Sequence, residues 1–539
     1  MPLETDTISD DVYSSYRVRR IWKLIMDTRQ FKRLQRIKQL GLAYTVYPSG
    51  DHSRFAHSIG VAHLARRLLT ELRQEGRDGS AEGAGPIDDK DALCVEIAAL
   101  CHDLGHGPYS HTYDGAFLDW ARSQKLLPAG YENWKHENGS LDMFKRLLRK
   151  NPHVEEALRK APFHLADIDF RFIEECIYGP LEGSDGKLLG RPPNKRFLYD
   201  IVSNKMDGLD VDRLDYVLRD QIHSGVPSEF NRGQLERLFA GVCVRRTADG
   251  DFRLCYPEKM MRAVLSVGRV RYLLHDVVYH HKTVKAAEIL LLKALIAAEP
   301  VLTFPGDDGK EYRMSKAMAD MSAFEKLTDD VYHEIVRGAD RDERLKEAAG
   351  HLKALENRQL PKLVCELSGK PQLIEQFQDG DEDCDAWNLP AKLARRILAA
   401  RSNSLVEEDV IVSVSTLHHG CQADNPLRRA LFYDHKSDEE WEEPPFVASE
   451  ERMPTFNGEM ASQFIVAKLW VFGRYGLDRD AWKEIRACVQ AFAAPYDVAM
   501  RFSPLRGPPF GRPQQATMEE QTLKAKRNLT SEFAGGSAE

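Results

Sequence analysis

Three histidines and an aspartate lie close together in residues 101–111, whose sequence is CHDLGHGPYSH. An imidazole beside a carboxylate suits a borderline or hard divalent cation, which can polarise a phosphoryl oxygen or acidify water. His106 and His111 follow closely enough to handle protons beside such a cation, because imidazole titrates near neutral pH. The pair His275-Asp276 repeats the same two letters without the glycines or the later histidines. The whole pattern, and not the dipeptide, therefore predicts a metal site.

Apolar residues at helical spacing predict that this segment ends a buried helix. Leu93, Ile97 and Leu100 recur every three or four residues, which indicates a helix over residues 91–104. Gly105 and the glycine and proline after it then stop the helix and turn the chain. His102 and Asp103 are therefore expected side by side at a helix end.

A second helix is predicted over residues 53–73, where Arg54, His57 and Val61 share one stripe. A lone inward histidine is usually a core residue whose hydrogen bonds are satisfied. Here an arginine one turn away and a His-Asp pair on a later helix favour a metal ligand. Asp114 and His136 are candidates to orient the histidines of the metal site, as outer polar groups commonly do.

Two later segments carry polar residues at spacings of four between apolar flanks. They are Asp212, Tyr216 and Asp220 in the first and Arg271, His275 and Tyr279 in the second. A carboxylate run is generally a solvated helix face, but Asp212 is the best-placed candidate to complete a His-His-Asp-Asp metal set. Two ordered polar rows are what the wall of a polar pocket needs. Arginine clamps phosphate, and tyrosine can pack against a sugar or base.

Composition limits the classes of function. The chain has 539 residues, enough for several domains, and a net charge of −8, which gives no bulk attraction to nucleic acid or an anionic membrane. Its nine cysteines form no CxxC pair, so reduced thiols and an intracellular, cytoplasmic location are expected, with a nuclear one open if the source is eukaryotic. No run approaches the roughly 18 apolar residues of a membrane span.

The fold class expected is all-α, with a mainly helical core and a small α/β C-terminal lobe. Residues 410–414 are β-branched and form the clearest strand. The expected parts of the chain are a flexible N-terminus at 1–11, a helical core at 12–400, an α/β lobe at 401–500 and a disordered tail at 503–539. Residues 12–47 are expected to be helical.

These segments also carry a family resemblance. The chain resembles the HD-domain deoxynucleoside triphosphate (dNTP) triphosphohydrolases, most closely the animal members that carry a SAM domain, but without that domain. The matching segments are 31–40, 52–60, 100–111, 197–204, 210–216, 326–329, 408–412 and 425–426. The resemblance covers roughly residues 10–495 and implies a helical HD phosphohydrolase core.

By this resemblance the protein hydrolyses dNTPs to deoxynucleoside and inorganic triphosphate and so controls nucleotide pools. The implied metal ligands are His57, His102, Asp103 and Asp212. They would hold one tightly bound divalent metal (Fe, Mn, Zn or Mg), and a second Mg²⁺ would arrive with the substrate. The implied catalytic residues are His106, His111, Asp114 and His136, with His111 as the general acid supported by Asp114 and His136.

The resemblance also implies the substrate contacts, which are Gln39, Leu40, Arg54, Arg213, Tyr216, Asp220, Arg271, His275, Tyr279 and His280. Gln39 and Asp220 would address the sugar 3′-hydroxyl. Tyr279 with Leu40 would crowd a ribose 2′-hydroxyl. Arg54 and Arg213 would hold phosphates, and His280, a glutamine in the family, would lie beside the base.

Nucleotide effectors and a homodimer or homotetramer are further implications, since the family's effector sites lie between subunits. The candidate effector-binding residues are Asp27, Val46, Tyr47, Lys259 and Lys282. Gln234 and Pro257 stand where the animal enzyme has arginines, and proline cannot clamp a phosphate. We therefore expect that activation by GTP and dNTP is lost or altered.

Two alternatives to a dNTP triphosphohydrolase stay open at this point. The first keeps the metal site for a phosphodiesterase or exonuclease on single-stranded nucleic acid, or for ribonucleotide hydrolysis. The second is a non-enzymatic nucleic-acid-binding scaffold, weakly supported by the basic residues 524–527. The acidic net charge and the sugar-reading set favour the dNTP reaction.

Overall fold

The computed structural model describes residues 4–74, 76–378, 387–402, 404–434, 445–448 and 463–504. Within them the protein is mainly helical, as predicted. The helices are α1 Arg20–Met26, α2 Arg29–Lys32, α3 Arg54–Leu72, α4 Asp89–Cys101, α5 Leu118–Ser123, α6 His136–Lys150, α7 Pro152–Arg159, α8 Asp167–Tyr178, α9 Val211–Ser224, α10 Arg232–Gly241, α11 Met261–Leu274, α12 Lys282–Ala298, α13 Met321–Phe324, α14 Val331–Gly338, α15 Lys346–Glu356, α16 Gln372–Gln378, α17 Asn388–Ala399 and α18 Arg479–Ala493. Short π-helical segments cover Thr112–Phe117 and His275–Tyr279.

The strands are β1 Glu4–Asp10, β2 Ser14–Arg19, β3 Cys243–Arg246, β4 Phe252–Pro257, β5 Thr303–Pro305, β6 Glu311–Arg313, β7 Lys362–Gly369, β8 Val410–His418, β9 Leu431–Tyr433, β10 Phe446–Val447, β11 Ile465–Gly473 and β12 Ala499–Phe502. They form two hairpins, β1-β2 and β5-β6, and two four-stranded sheets. The sheet order is β10-β9-β4-β3 in one and β12-β7-β11-β8 in the other.

Helix α4 lies at the centre of the larger core. Every residue from Asp91 to Cys101 is buried, including Asp91 and Glu96, whose carboxylates pair with Arg191 and Arg19. It packs against α3 and α8. At its N-terminus the Asp88 carboxylate accepts a hydrogen bond from the backbone of Asp91 at 2.8 Å, which caps the helix. The helix ends at Cys101 and not at the predicted residue 104, so His102 is the C-cap.

Helices α3 and α9 pack against each other and bring two distant segments of the chain together. The observed bounds of α3 nearly match the predicted span of residues 53–73. Helix α9 begins after Asp210, whose side chain accepts from the backbone of Arg213 at 2.8 Å. This cap fixes the first turn of α9, and with it Asp212, next to the buried face of α3.

The N-terminal segment differs from the prediction. Residues 4–10, expected to be flexible, form strand β1, and residues 14–19, expected to be helical, pair with it as strand β2. Asp10 stabilises the connection by accepting hydrogen bonds from the backbone of Val12 and Tyr13. It also forms an ion pair with Arg219 at 3.0 Å. Because Arg219 lies far away in sequence, local spacing could not indicate this anchor.

The sheet β12-β7-β11-β8 separates two hydrophobic cores, because side chains alternate across a strand. From β11, Leu469 and Val471 face the smaller core with α17 and α18, whereas Trp470 and Phe472 join the larger core. All pairings in this sheet are antiparallel. Since β7 belongs to it, this region starts near residue 362, before the predicted boundary at residue 401.

Apart from residues 503–504, the predicted tail at 503–539 lies outside the described residues. Within the part of the chain that is described, none of the helices combines the length and the apolar composition needed to cross a bilayer.

Candidate metal centre and active site

Four side chains from distant parts of the chain converge at one point. Nε2 of His57 lies 3.0 Å from an oxygen of Asp212 and 3.6 Å from an oxygen of Asp103. Nε2 of His102 lies 3.4 Å from Asp103 and 3.5 Å from Asp212. Ligand atoms at about 2.1 Å from one ion and at right angles to each other lie about 3 Å apart. The spacing therefore suits four ligands of one cation.

Three structural elements position these side chains. His57 lies in the second turn of α3, His102 caps the end of α4, and Asp212 is in the first turn of α9. Because α3 packs against both α4 and α9, the three elements bring their polar residues to a single place. His57 and Asp103 are almost completely buried.

The far nitrogen of each imidazole is held by an acceptor. Nδ1 of His57 lies 2.8 Å from a carboxylate oxygen of Asp215, and Nδ1 of His102 lies 2.8 Å from the carbonyl oxygen of Ala99. With its proton on Nδ1, each ring presents the lone pair of Nε2 to the cluster. Ligating histidines usually have such a partner, which fixes the tautomer and the ring orientation.

The cluster attracts positive charge. Burial alone would lower the pKa of His57, but its hydrogen bonds with Asp212 and Asp215 raise that pKa to about 10. Burial likewise opposes ionisation of Asp212, yet its contacts with His102 and His57 hold its pKa below the ordinary value. Two carboxylates and two imidazoles thus share one buried space in which a proton or a metal cation is favoured.

The residues present fit a divalent metal. Nε2 of His102 is buried and has no hydrogen-bond partner among the described residues, although a buried polar atom normally has one. Two nitrogen and two oxygen donors match the ligands of Mn²⁺, Fe²⁺ or Zn²⁺. His57, His102 and Asp103 can hold a metal, and an oxygen of Asp212, 3.0 Å from His57 and 3.5 Å from His102, is close enough to be a fourth donor.

A second histidine cluster lies beside the first. Nε2 of His106 is 3.3 Å from Asp103, and its ring stacks on His136 with centroids 3.9 Å apart. The ring of His111 meets that of His106 edge-on at 5.5 Å. His106 is buried and His111 is the more exposed residue of the two, but burial of its imidazole lowers the pKa of His111 to about 3.

Asp114 contacts a different histidine from the one predicted. Its carboxylate forms a short hydrogen bond with Nδ1 of His106 and accepts from the backbone of Gly107 at 3.1 Å. The ring of His136 also lies closer to His106 than to His111, at centroid distances of 3.9 and 6.2 Å. The expected support of His111 by Asp114 and His136 is therefore corrected to a support of His106.

Gly105 explains how His136 reaches this cluster. A β-carbon at Gly105 would lie 2.1 Å from the carbonyl oxygen of His136 and 2.2 Å from the backbone nitrogen of Ser140. Only glycine allows the turn after α4 to approach the start of α6 this closely. In addition, Ser140 accepts a hydrogen bond from the Gly105 backbone at 2.9 Å.

Arg54 was expected to hold a phosphate, but much of its guanidinium is bound within the protein. Its Nε donates to the hydroxyl of Ser110 at 2.7 Å, and its Nη1 contacts a carboxylate oxygen of Asp103 at 2.5 Å. Although burial opposes ionisation of Asp103, Arg54 and the neighbouring histidines lower its pKa below the ordinary value. In this structure Arg54 therefore keeps Asp103 charged and oriented.

Two of the predicted sugar-binding residues, Asp220 and Tyr279, contact each other. One oxygen of Asp220 accepts from the hydroxyl of Tyr279 at 2.5 Å, and the other lies 2.9 Å from Nε2 of His52. The backbone nitrogen of Gln39 donates to the carbonyl oxygen of His52 at 2.9 Å. Leu40 is the next residue in the chain. The side-chain oxygen of Gln39 is buried without a hydrogen-bond partner among the described residues.

Arg213 passes between two glycines. A β-carbon at Gly208 or at Gly420 would lie within 2.3 Å of its guanidinium, so larger residues there would displace it. Nε of Arg213 is buried and has no hydrogen-bond partner in the described part of the chain. This arrangement leaves a fixed cation one residue after Asp212.

The row of Arg271, His275 and Tyr279 begins on α11 and continues into the π-helical segment. Arg271 contacts the C-terminal sheet by donating to the carbonyl oxygen of His418 on β8. Nε of Arg271 donates to the hydroxyl of Tyr216 at 3.1 Å, which joins the two predicted polar rows. The ring of His275 packs edge-on against Tyr279 at 4.7 Å. His280 lies parallel to the indole of Trp470, at 5.5 Å between centroids.

The candidate effector residues have different neighbours. Asp27 pairs with Lys32 at 3.0 Å near the surface. Tyr47, which follows Val46, donates to the carbonyl of Val277 at 2.6 Å. Its ring lies 6.1 Å from that of His281, the residue before Lys282. Lys259 lines a cavity of about 560 Å³ with Pro257. The candidate effector residues therefore lie in several separate parts of the fold.

Some residues of the site were not predicted from the sequence. Asp215 and Arg219 are both buried and paired at 2.9 Å behind His57. Asp215 sits in the apolar stripe of α9, between Leu214 and Leu218, and an acid in such a stripe four residues before an arginine is a usable signal. His52 and Ser110 gave no comparable signal, because their partners are distant in sequence.

Residues 54–177 match the HD domain. The chain is 36% identical over 435 residues to the deoxynucleoside triphosphate triphosphohydrolase SAMHD1 of Homo sapiens, covering 79% of this chain and 64% of the human protein. It is 36% identical over 431 residues to SAMHD1 of Bos taurus, covering 79% and 69% of the two chains.

A more distant relative is the SAMHD1 homolog of Dictyostelium discoideum, 29% identical over 408 residues, with 76% of this chain and 67% of the relative covered. The chain therefore spans about two thirds of the length of these relatives.

Proposed function

The chain belongs to the family of the HD-domain protein SAMHD1, and from this premise we propose that it hydrolyses dNTPs to deoxynucleoside and inorganic triphosphate. The names of its relatives describe this activity. Such a reaction would control the supply of deoxynucleotides.

One observation carries the proposal. His57, His102, Asp103 and Asp212 come from three elements of the fold and place four donor atoms at separations of 3.0 to 3.6 Å. A scaffold that only binds nucleic acid has no evident use for such a set beside two further histidines. When bound, a divalent cation there polarises a phosphoryl oxygen and supports attack by water.

The histidines next to these ligands suit proton transfer to the leaving group. Water attacks the α-phosphorus, forms the new P–O bond and releases a proton to solvent, while the bond from that phosphorus to the 5′ oxygen breaks. We assign His111, in its protonated form, to protonate the 5′ oxygen. This assignment is supported by the position of His111, whose ring meets that of His106 edge-on at 5.5 Å, next to Asp103. His106 is buried and bound by Asp114, so its role is to hold the adjacent carboxylates in place.

A deoxyribose pocket is supported by the contacts around Asp220. Tyr279 is held against Asp220 by a hydrogen bond of 2.5 Å, which leaves little freedom for the tyrosine to make room for a 2′-hydroxyl. The unpaired side-chain oxygen of Gln39 can accept a hydrogen bond from the sugar 3′-hydroxyl. Arg213 supplies a buried positive charge for the phosphates.

The remaining assignments are also proposals. Mn²⁺, Fe²⁺, Zn²⁺ or Mg²⁺ is the metal class, and a second Mg²⁺ would enter with the triphosphate. The protein acts inside the cell, and the free thiols of the described cysteines support this location. It acts there as a homodimer or homotetramer. Pro257 beside Lys259 supports altered activation by nucleotides. The sheet with α17 and α18 is the C-terminal lobe.

Product analysis tests the proposal. Purified protein is incubated with a panel of dNTPs and NTPs and Mn²⁺, with and without GTP, and the products are separated by ion exchange. We expect deoxynucleoside and inorganic triphosphate from the dNTPs and at least tenfold less from the NTPs. Release of mononucleotides from single-stranded DNA, without triphosphate from dNTPs, would assign a nuclease instead. The absence of any product would refute an enzymatic role.

A further inference from the structure

The turn before His111 has an unusual backbone. Tyr109 and Ser110 are consecutive residues other than glycine with φ of 53° and 54°. L-residues rarely adopt this left-handed region, because the β-carbon crowds the carbonyl group that follows it. Such a conformation persists only where the surrounding structure holds it, and it is found most often at functional sites.

Asp329, between α13 and α14, holds this turn. One oxygen of its carboxylate accepts from the backbone nitrogen of Tyr109 at 2.6 Å. The other oxygen accepts from the backbone nitrogen of Lys38 at 2.9 Å. A single carboxylate thus ties the strained turn to the segment that precedes Gln39.

The effect of this connection extends to the metal centre. The hydroxyl of Ser110 donates to the carbonyl oxygen of Lys38 at 2.8 Å and accepts from Nε of Arg54 at 2.7 Å. Arg54 in turn contacts Asp103 at 2.5 Å. Each step in this series is a hydrogen bond between groups with little exposure, so a shift of the turn would be transmitted to Asp103.

The segment that carries Asp329 is itself firmly attached. The buried guanidinium of Arg33 donates to the carbonyl oxygens of Phe324 and Leu327, at 3.2 and 2.7 Å. It also donates to the carbonyl oxygen of Leu104 at 3.3 Å, directly after the ligand Asp103. Arg33 and Asp329 therefore join the same segment to both ends of the loop 104–110.

We propose that Asp329 is a positioning residue for the metal centre, which holds the left-handed turn at Tyr109 and Ser110 and thereby orients Arg54 and Asp103. The inference deepens the proposed function, since it rests on Asp103 being a metal ligand. Asp329 does not touch the substrate. Groups that orient metal ligands from outside commonly change metal affinity by ten- to a hundredfold when they are removed.

Mn²⁺ affinity measured by competition with a chromophoric chelator tests the proposal on the full chain. We expect Asp329→Asn to weaken Mn²⁺ binding by about tenfold or more, because one amide oxygen cannot replace two carboxylate acceptors. The matched control is Asp330→Asn, since Asp330 pairs with Arg36 near the surface. The control should stay within twofold of the unmodified protein. An Asp329→Asn affinity within twofold as well would overturn the proposal.

A second variant keeps the test decisive if Asp329→Asn does not fold. Ser110→Ala removes the hydroxyl that links the turn to Arg54 and should weaken Mn²⁺ binding by a similar factor. Where both single variants fold, the double variant should lose little more than the larger single loss, because both changes break the same series of contacts. Fully additive losses, or a Ser110→Ala affinity within twofold of the unmodified protein, would overturn the proposal.

The failure of this proposal is distinguishable from failure of the proposed function. Triphosphate release by the unmodified protein decides the reaction. Mn²⁺ affinity requires no turnover and decides the role of Asp329. A purely structural role would lower the thermal midpoint of Asp329→Asn while Mn²⁺ affinity of the folded fraction stays unchanged.

Discussion

The chain contains the dipeptide His-Asp at residues 102–103 and again at residues 275–276, and the two copies have opposite surroundings. Asp103 lies within 3.6 Å of three imidazoles, those of His57, His102 and His106. A second carboxylate, Asp212, approaches the ring of His102 as well. Asp276 instead forms a short ion pair with Lys468. Lys468 also bonds Glu366 at 2.8 Å and so ties the π-helical segment to the C-terminal sheet.

The histidines differ in the same direction. Contacts with carboxylates raise the pKa of His102, whereas burial and then Arg271 lower the pKa of His275. At the first copy Arg54 already pairs with Asp103, but Asp212 adds a second carboxylate against His57 and His102, and this cluster attracts a cation. At the other copy Asp276 pairs with Lys468, and its histidine is neutral and can pack against a ligand. The neighbouring charges, and not the dipeptide, decide the chemistry.

The largest expected effect separates the two aspartates. Asp103→Ala should lower triphosphate release about a thousandfold or more, because loss of the metal removes several kcal/mol of transition-state stabilisation. Initial rates by ion exchange measure this, with Asp276→Ala as the matched control. Retention of more than a tenth of the activity by Asp103→Ala would break the comparison.

A smaller effect is expected behind His57. Asp215→Asn should weaken Mn²⁺ binding by about ten- to a hundredfold, because Asp215 fixes the tautomer and orientation of the ligand. Asp10→Asn is a suitable control, since Asp10 pairs with the same Arg219 but does not contact His57. Equal Mn²⁺ affinities of the two variants would contradict the assignment of His57 as a ligand.

The pH dependence of stability should report the lowered pKa of His275. A histidine whose pKa is lower in the folded protein stabilises it above the unfolded pKa of about 6.5, and this stabilisation is lost as pH falls. At pH 5.5 the loss is about 1.4 kcal/mol for a ring that stays neutral. Urea unfolding of the metal-free protein at pH 7.5 and 5.5 measures how far the free energy of unfolding falls between the two pH values. This fall should be smaller by that amount in His275→Gln than in the unmodified protein. An identical drop would mean that His275 is not perturbed.

The smallest effect is expected from Asp276→Asn. Lys468 keeps its bond to Glu366 in this variant, so the free energy of unfolding should fall by less than about 1 kcal/mol. Because the π-helical segment carries His275 and Tyr279, we expect KM to rise by up to about fivefold with unchanged metal content. Steady-state kinetics and metal analysis check this. Loss of the metal in Asp276→Asn would contradict the distinction drawn between Asp103 and Asp276.

Much of the site follows from local pattern. Helical spacing placed His57 on the inward face of α3, and the glycines after Asp103 predicted the end of α4 to within three residues. The row of Asp212, Tyr216 and Asp220 appears on α9 as the spacing predicts. These features depend on the period of the helix and on residues within one or two turns, which a sequence displays directly.

Other features depend on contacts between distant residues. Strand β1 was missed because its anchor, Asp10, pairs with Arg219. The support of Tyr109 by Asp329 joins residues 220 positions apart. Asp114 was assigned to His111, three residues away, and instead binds His106 on the other side of the turn. Only the three-dimensional path of the turn decides between these histidines.

The most direct test of the metal centre is the metal content of purified protein loaded with Mn²⁺ and then desalted. Inductively coupled plasma mass spectrometry should find one tightly bound ion per chain in the unmodified protein and less than about a tenth of that in Asp212→Ala. Equal metal content in the two proteins would contradict the convergence of His57, His102, Asp103 and Asp212 on a single cation.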